Sequence, residues 1–309
     1  MKGNSMTRTM LRSLRPVAVV LGAMLLAGGC AGKSAPQSLL THEDHVKQAE
    51  LYMTAGKANL ALLHYEQALA SEPEDADIRC ALADALLALD RPDLAVAAYE
   101  VALAKDSTHP GAHFGLSRIL LSRDDRQGAK THLIASLERQ PQQWRVYNSL
   151  GIIYDLDGEY HMALAAFRRA SEINPNQADS VNNMGITSAK MGDLPSAEAT
   201  FRKALRLNRG DKRTLNNLGM VLARQGRHLD ALEVFRQASP DHVAHNNLGY
   251  ACFLQGDFQQ AEVYYRKAIE LSPAYYETAN ANLRRLHERE NRRDSPALKT
   301  SANLPLKKP

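Results

Sequence analysis

The chain has 309 residues, of which 44% are hydrophobic and 23% charged, and this composition excludes a collagenous or a wholly disordered protein. Its formal net charge of +4 resides in residues 1–29, where Lys2, Arg8, Arg12 and Arg15 occur without any acidic residue. The rest of the chain carries equal numbers of basic and acidic residues. This distribution disfavours a general nucleic-acid-binding surface, and we expect no nucleic-acid partner.

Residues 1–29 have the layout of an export signal. The cationic start precedes an apolar run of eleven residues, 17–27, whereas a helix that spans a bilayer needs about 20. The run leads into Leu26-Ala27-Gly28-Gly29-Cys30, which resembles the bacterial lipobox, although Ala27 stands where leucine is most usual. A plain secretory signal with an incidental cysteine is the alternative.

The lipobox resemblance implies that the thiol of Cys30 carries a lipid and that residues 1–29 are a lipoprotein signal peptide. Residues 30–41, which include Pro36, then form the lipidated cysteine and a short flexible tether. Ala31 follows the cysteine, and in lipoprotein sorting this favours the outer membrane. We therefore expect a lipid-anchored protein of the outer membrane that faces the periplasm.

The body of the sequence consists of seven copies of one unit. Small residues recur in five steps of 34 residues and one of 30, at Ala49, Ala83, Ser117, Gly151, Gly185, Gly219 and Gly249. In every copy a second small residue follows 12 positions later and a large one four positions after that. We place the copies at 42–75, 76–109, 110–143, 144–177, 178–211, 212–241 and 242–275.

Copy four shows that the unit is a pair of helices. Tyr147, Leu150, Gly151 and Tyr154 have the spacing of one helix face, and Ala163, Phe167 and Ala170 mark one face of a second helix beyond Gly158. The small residues allow the two helices to approach closely. The aromatic residue is expected to fill space toward the adjacent unit.

This period and this order of small and aromatic residues resemble the tetratricopeptide repeat. The resemblance implies an all-α fold, a right-handed superhelical solenoid of about seven helix-turn-helix units. Residues 276–294 form a polar segment in which Leu283 and Leu286 are spaced for burial, and they predict a C-terminal capping helix. Residues 295–309 lack hydrophobic periodicity and predict a disordered basic tail.

Asparagines recur before the glycine of copies four to seven. A first asparagine row consists of Asn148, Asn182, Asn216 and Asn246, and a second asparagine row of Asn183, Asn217 and Asn247. An amide offers both donors and an acceptor, so such a ladder can bind the backbone of an extended peptide. The alternative is that these amides bond locally or to the adjacent repeat.

Other residues of the first helices are further candidates for a binding groove. Phe114, Arg118 and Leu121 predict an anchor pocket in copy three. The apolar residues one turn beyond the asparagines line the groove floor or are buried between helices: Ile152, Ile186, Met220 and Tyr250. Capture of a C-terminal carboxylate is weakly supported, since only Arg145, Arg213 and Arg224 come near the pattern that it needs.

Signatures of catalysis are missing from the sequence, which contains no phosphate-binding Gly-Lys loop, no His-Glu-x-x-His and no Gly-x-Ser-x-Gly. We expect a non-enzymatic protein without a cofactor. Close histidine pairs occur at His42/His45, His109/His113 and His242/His245, each near the start of a first helix. We expect no third or fourth ligand to complete a site beside them, which disfavours a metal site. Cys252 is expected to be a buried free thiol and Cys80 to be more exposed.

A lipidated solenoid without catalytic motifs is typical of an assembly factor that holds another envelope protein. Its lipobox, tether and array rich in Asn-Asn-Leu-Gly resemble TadD, the tetratricopeptide lipoprotein family of tight-adherence (Flp) pilus systems, and type IV pilotins nearly as well. This resemblance implies a role in localising or assembling an outer-membrane secretin. The alternative is a general periplasmic scaffold that recruits peptidoglycan or polysaccharide-export enzymes; a regulatory partner of an enzyme acting in trans is a third hypothesis.

Overall fold

The chain divides into two units, residues 1–40 and residues 41–309. The structure, a computed structural model, describes residues 40–294. The predicted signal peptide, the lipidated Cys30, nearly all of the tether and the basic tail lie outside the described residues.

The described residues form fifteen α-helices, and they contain no strand. The first seven are α1 (His42–Thr54), α2 (Ala58–Ser71), α3 (Ala76–Ala88), α4 (Pro92–Lys105), α5 (Pro110–Ser122), α6 (Arg126–Arg139) and α7 (Trp144–Leu156). The remaining eight are α8 (Tyr160–Ile173), α9 (Ala178–Lys190), α10 (Leu194–Leu207), α11 (Lys212–Arg224), α12 (His228–Ala238), α13 (Asp241–Gln255), α14 (Phe258–Leu271) and α15 (Glu277–Asp294). None of these helices combines the length and apolar character needed to cross a lipid bilayer.

The helices stack as seven pairs in chain order. Each odd-numbered helix from α1 to α13 packs against the next helix, and each pair packs against the following pair, which is a solenoid of about seven units, as predicted. The turn inside each pair requires a left-handed backbone at one position. Five pairs place a glycine there, for example Gly192 with φ +85°, while Asp90 and Asp124 occupy it in copies two and three.

The core lies between the two helices of each pair and continues into the next pair. The ring of Phe201 on α10 covers Gly185 on α9 so closely that a Cβ at Gly185 would stand 2.6 Å from it. Phe167 and Phe235 cover Gly151 and Gly219 in the same way, and all three rings are buried. The aromatic residue therefore fills a notch within its own repeat, and Phe201 also packs in one core cluster with Leu218 and Leu222 of the next repeat, which agrees with the prediction that it fills space toward the adjacent unit.

Copy six departs from the regular unit. Helix α12 has 11 residues, whereas α2, α4, α6, α8, α10 and α14 have 14. Ser239 and Pro240 alone link it to α13, while the links between earlier pairs contain four residues. Successive first helices also touch elsewhere in the array, but α13 packs more extensively against α11 than α5 packs against α3.

Helix α15 covers the last pair, as the polar segment predicts. It packs against α13 and α14 with Ala279 and Leu286 fully buried. Leu283 stands 34 residues after Gly249, at the position of the glycine in a first helix. A large side chain fits there because within the described residues no second helix follows α15.

Candidate partner-binding groove

The odd-numbered helices, which are the first helices of the repeats, line two grooves. The C-terminal groove is a cavity of about 360 Å³ between α9, α11 and α13. Its apolar floor includes Ile186, Met220 and Leu254, and its polar lining includes Lys190, Asn217 and Arg224. Such a mixture of apolar floor and a few polar side chains suits a peptide segment.

The N-terminal groove is a cavity of about 620 Å³ lined by α1, α3, α5 and α7. Phe114 and Arg118, two of the three residues of the predicted anchor pocket, line it together with Asp84 and Arg145, whereas the third, Leu121, packs against the core formed by α6, α7 and α8. Arg118 Nη1 lies 4.0 Å from Asp84 Oδ1, and both side chains keep about half of their exposure. The structure therefore brings Phe114 and Arg118, but not Leu121, to one cavity.

A hydrogen bond from Tyr99 holds the Asp84 side chain in place. The Tyr99 hydroxyl donates a hydrogen bond of 2.6 Å to Asp84 Oδ1. Burial, and then the negative charge of Asp84, raise the pKa of Tyr99 far above its ordinary value, so the hydroxyl remains a donor. The guanidinium of Arg145 lies 5.2 Å from the centre of the Trp144 ring. Arg145 also lines this groove and gives it a second cationic group beside Arg118.

The first asparagine row forms hydrogen bonds between successive repeats. The amide oxygen of Asn148 accepts from Asn183 Nδ2 at 3.2 Å, and that of Asn182 accepts from Asn217 Nδ2 at 3.1 Å. The series continues from Asn247 to Asn216 at 3.4 Å and from Asn282 to Asn246 at 3.0 Å. Each first-row oxygen is thus bonded to the next first helix, or to α15.

Hydroxyl groups reinforce two steps of this ladder. Ser180 Oγ donates to Asn148 Oδ1 at 3.1 Å, and Thr214 Oγ1, whose single hydrogen is shared with the Asp211 carboxylate, lies 3.0 Å from Asn182 Oδ1. Asn182 and Asn246 are buried. The first row therefore bonds each repeat to the next one, which is one of the two alternatives that the sequence left open.

The second asparagine row is better placed for a ligand. Asn183, Asn217 and Asn247 are half-buried, and Asn217 lines the C-terminal groove. Within the described residues the amide oxygens of Asn217 and Asn247 accept no hydrogen bond, while that of Asn183 accepts from Asn182 Nδ2 at 3.5 Å. Peptide contact by either row remains a prediction.

The other groove candidates are distributed between these surfaces. Ile186 and Met220 lie in the C-terminal groove, Ile152 is half-buried and Tyr250 is exposed. The three arginines of the carboxylate hypothesis have different surroundings. Arg145 lines the N-terminal groove, Arg224 donates to the Ala189 carbonyl at 2.9 Å, and Arg213 forms an ion pair with Asp179. They do not converge on one carboxylate.

Both described cysteines are buried free thiols. For Cys252 this confirms the prediction, whereas the prediction that Cys80 is more exposed is wrong, because Cys80 packs in the core formed by α3, α4 and α5. Burial raises the pKa of Cys80 to about 12 and that of Cys252 to about 11, so both thiols stay protonated at neutral pH.

The histidines have spatial partners that the sequence did not reveal. His45 Nδ1 lies 3.0 Å from His64 Nδ1, and His113 Nδ1 lies 2.9 Å from His132 Nδ1, so each pair joins the two helices of one repeat. His42 lies close to two carboxylates of the α2–α3 link. The expectation that no third ligand stands near the histidines is therefore wrong for His42.

Comparison with protein families decides the class of this array. Models of the tetratricopeptide repeat match residues 46–110, 86–150, 145–177, 176–240 and 242–275. The chain belongs to the tetratricopeptide repeat family. All five matches describe the repeat, none describes a catalytic family, and a tetratricopeptide repeat solenoid presents surfaces that bind other proteins. A comparison with curated proteins gave no match.

Solved structures show the same tetratricopeptide fold. A tetratricopeptide repeat protein from Parabacteroides merdae superposes with a TM-score of 0.55 at 15% identity, over 80% of this chain and 98% of that one. Pseudomonas aeruginosa pilF gives 0.53 at 19% identity, over 69% and 97%. The Cut9–Hcn1 hetero-tetramer of the APC/C gives 0.59 at 17% identity, over 79% and 49%. These similarities concern the fold alone.

Proposed function

We propose that this tetratricopeptide repeat protein is an envelope assembly factor that binds a segment of a partner protein in its grooves. The observation that supports it is the C-terminal groove, where the apolar floor of α9, α11 and α13 lies beside the second asparagine row. A segment that packs its apolar side chains on Ile186 and Met220 brings its own backbone N–H groups to the open amide oxygen of Asn217.

A groove that binds backbone groups recognises the extended conformation of the partner segment more than its amino-acid sequence. The N-terminal groove adds a second contact, because Phe114 offers an aromatic surface and Arg118 and Arg145 offer positive charge. An acidic or aromatic side chain of the partner fits there. The two grooves together would fix the register of the segment along the array.

The partner that we propose is an outer-membrane secretin or another component of pilus assembly. The support is the resemblance of the sequence to the lipoproteins of tight-adherence pilus systems, with a lipobox that ends at Cys30 and an array rich in Asn-Asn-Leu-Gly. A lipid on Cys30 would hold the array on the periplasmic face of the outer membrane, where a secretin inserts. The alternative is a general scaffold for peptidoglycan or polysaccharide-export enzymes.

The experiment that tests this proposal is an in-cell crosslink with the tagged full chain, followed by pull-down and mass spectrometry. Recovery of a secretin that is lost when Asn183, Asn217 and Asn247 are replaced by alanine would support the groove and the partner. The matched control replaces three exposed asparagines on other elements, Asn59, Asn176 and Asn208, with alanine and should retain the partner. Recovery of cell-wall or polysaccharide enzymes would favour the alternative.

The anchor has a test of its own. Cys30→Ala should release the protein from outer-membrane fractions, since the acyl chains would no longer be attached. Cys80→Ala is the control, because that thiol is buried in the array. Unchanged sedimentation of Cys30→Ala would contradict the lipoprotein proposal and leave the groove proposal unaffected.

A further inference from the structure

Three metal-binding side chains meet where copy one joins copy two, away from the lining of the C-terminal and N-terminal grooves. His42 is the first residue of α1, Glu72 follows the last residue of α2, and Asp75 caps the start of α3. Their ligand atoms all lie within 4.8 Å of one another, and His42 Nε2 is 3.7 Å from Glu72 Oε2. The two carboxylates are 30 and 33 residues from the histidine, so spacing in the sequence did not reveal them.

The backbone selects which nitrogen of His42 carries a proton. Its Nδ1 lies 3.1 Å from the carbonyl oxygen of Ala68, which can only accept, so Nδ1 donates. In the neutral ring the lone pair then belongs to Nε2, the nitrogen that faces Glu72. Histidines that bind metals commonly donate their other N–H to a backbone carbonyl in this way, which orients the ring for the metal.

The two carboxylates differ in freedom. Asp75 Oδ1 accepts a hydrogen bond of 2.9 Å from the backbone N–H of Ile78, which fixes the side chain. The second carboxylate oxygen, Oδ2, remains available to bind an ion. Glu72 is exposed, so its carboxylate can move the short distance that a shared ion requires. One fixed ring, one fixed carboxylate and one adjustable carboxylate can meet the ligand distances of about 2.0–2.2 Å that zinc prefers.

The surroundings favour a cation. A cavity of about 370 Å³ beside His42 and Asp75 is also lined by Glu43, Glu50 and Asp77. Lys47 is the one lysine or arginine of that lining and is paired with Glu43 at 3.6 Å, while Arg79 lies outside the lining and donates to the Pro73 carbonyl oxygen of the α2–α3 link at 2.6 Å. A carboxylate-rich surface lowers the cost of bringing a divalent ion to the three ligands.

We propose that His42, Glu72 and Asp75 form a site for a divalent transition-metal ion such as Zn²⁺, with water completing its coordination. Imidazole and carboxylate together are ligands that zinc accepts, while Mg²⁺ and Ca²⁺ prefer oxygen ligands alone. The ion would tie the start of α1 to the link between α2 and α3. It would thereby brace the first repeat, which within residues 40–294 has a neighbouring repeat on one side only.

Calorimetric titration of the full chain with ZnCl₂, and in parallel with MgCl₂, tests this proposal. Removing one of three ligands should weaken zinc binding at this site by at least about tenfold, so His42→Ala and Glu72→Gln should each show that loss. Mg²⁺ should give no comparable binding. The exposed Glu72 keeps the test valid if His42→Ala unfolds, which circular dichroism would show.

The chain provides a matched control in copy seven. His242 occupies the position of His42, but Ser272 and Tyr275 stand where copy one has Glu72 and Asp75. His242→Ala should therefore leave zinc binding unchanged, and any zinc bound by the pairs His45/His64 and His113/His132 should persist in every variant. Absence of zinc binding by the unmodified chain, or equal binding by His42→Ala and His242→Ala, would overturn the proposal and leave a simple ion pair between His42 and Glu72.

Discussion

At the scale of single residues, the glycine notches set how closely the two helices of a repeat approach. Gly185→Ala would place a methyl group 2.6 Å from the ring of Phe201, and the overpacking should cost about 1–3 kcal/mol of unfolding free energy. This outweighs the gain of up to about 1 kcal/mol from the better helix propensity of alanine. Denaturant unfolding measures the difference.

Gly210→Ala is the matched control for that substitution, since a Cβ at Gly210 meets no atom within 4 Å. It should leave the unfolding free energy nearly unchanged. Equal stability of the two variants would show that α9 and α10 move apart without cost, and that the notch is not a fixed feature of the repeat.

His132 makes the stability of the array depend on pH. Burial, and then the neighbouring His113, lower the pKa of His132 below its ordinary value of 6.5, with Asp125 opposing the shift. The unfolded chain therefore binds a proton near pH 6.5 that the folded chain takes up only at lower pH, so folding loses free energy as the pH falls below that value.

We expect the melting temperature to fall between about pH 7 and about pH 5, and to fall less in His132→Gln, which keeps a polar side chain without a titrating group. His161→Gln is the control, because His161 is exposed on α8. Identical pH profiles for the two variants would contradict the assignment of this dependence to the His113–His132 pair.

At the scale of helices, the two asparagine rows form one ladder, in which the second row donates and the first row accepts. Asn182→Ala removes an acceptor shared by Thr214 and Asn217 in a buried setting, and should cost about 1–3 kcal/mol. Asn217→Ala leaves the Asn182 oxygen bonded to Thr214 and should cost less. Thermal unfolding measures both, and a larger loss in Asn217→Ala would contradict the structural role of the first row.

The repeat, the helix pairs and the cap could be predicted from the sequence because each depends on local spacing. Gly185 and Phe201, for instance, recur in the same positions of neighbouring copies. What the sequence could not reveal are contacts between distant side chains, such as Asn182 with Asn217 in adjacent copies or His42 with Glu72 at the two ends of copy one. Their partners lie about one period away, and a period alone does not say which side chains of two stacked helices face each other.

At the scale of the whole array, each repeat contacts only its neighbours, so the loss of stability caused by a substitution should stay local. Leu286 on α15 is fully buried in the core that also contains Tyr265 and Cys252, and Leu286→Ala should cost about 2–5 kcal/mol in that region. Hydrogen exchange should accelerate in α13, α14 and α15 while α1 to α6 keep their protection. Glu288→Ala, an exposed position of the same helix, should leave exchange unchanged. Uniform acceleration along the whole array would instead show that the repeats unfold as one cooperative unit, and that the cap stabilises the N-terminal groove as strongly as the C-terminal one.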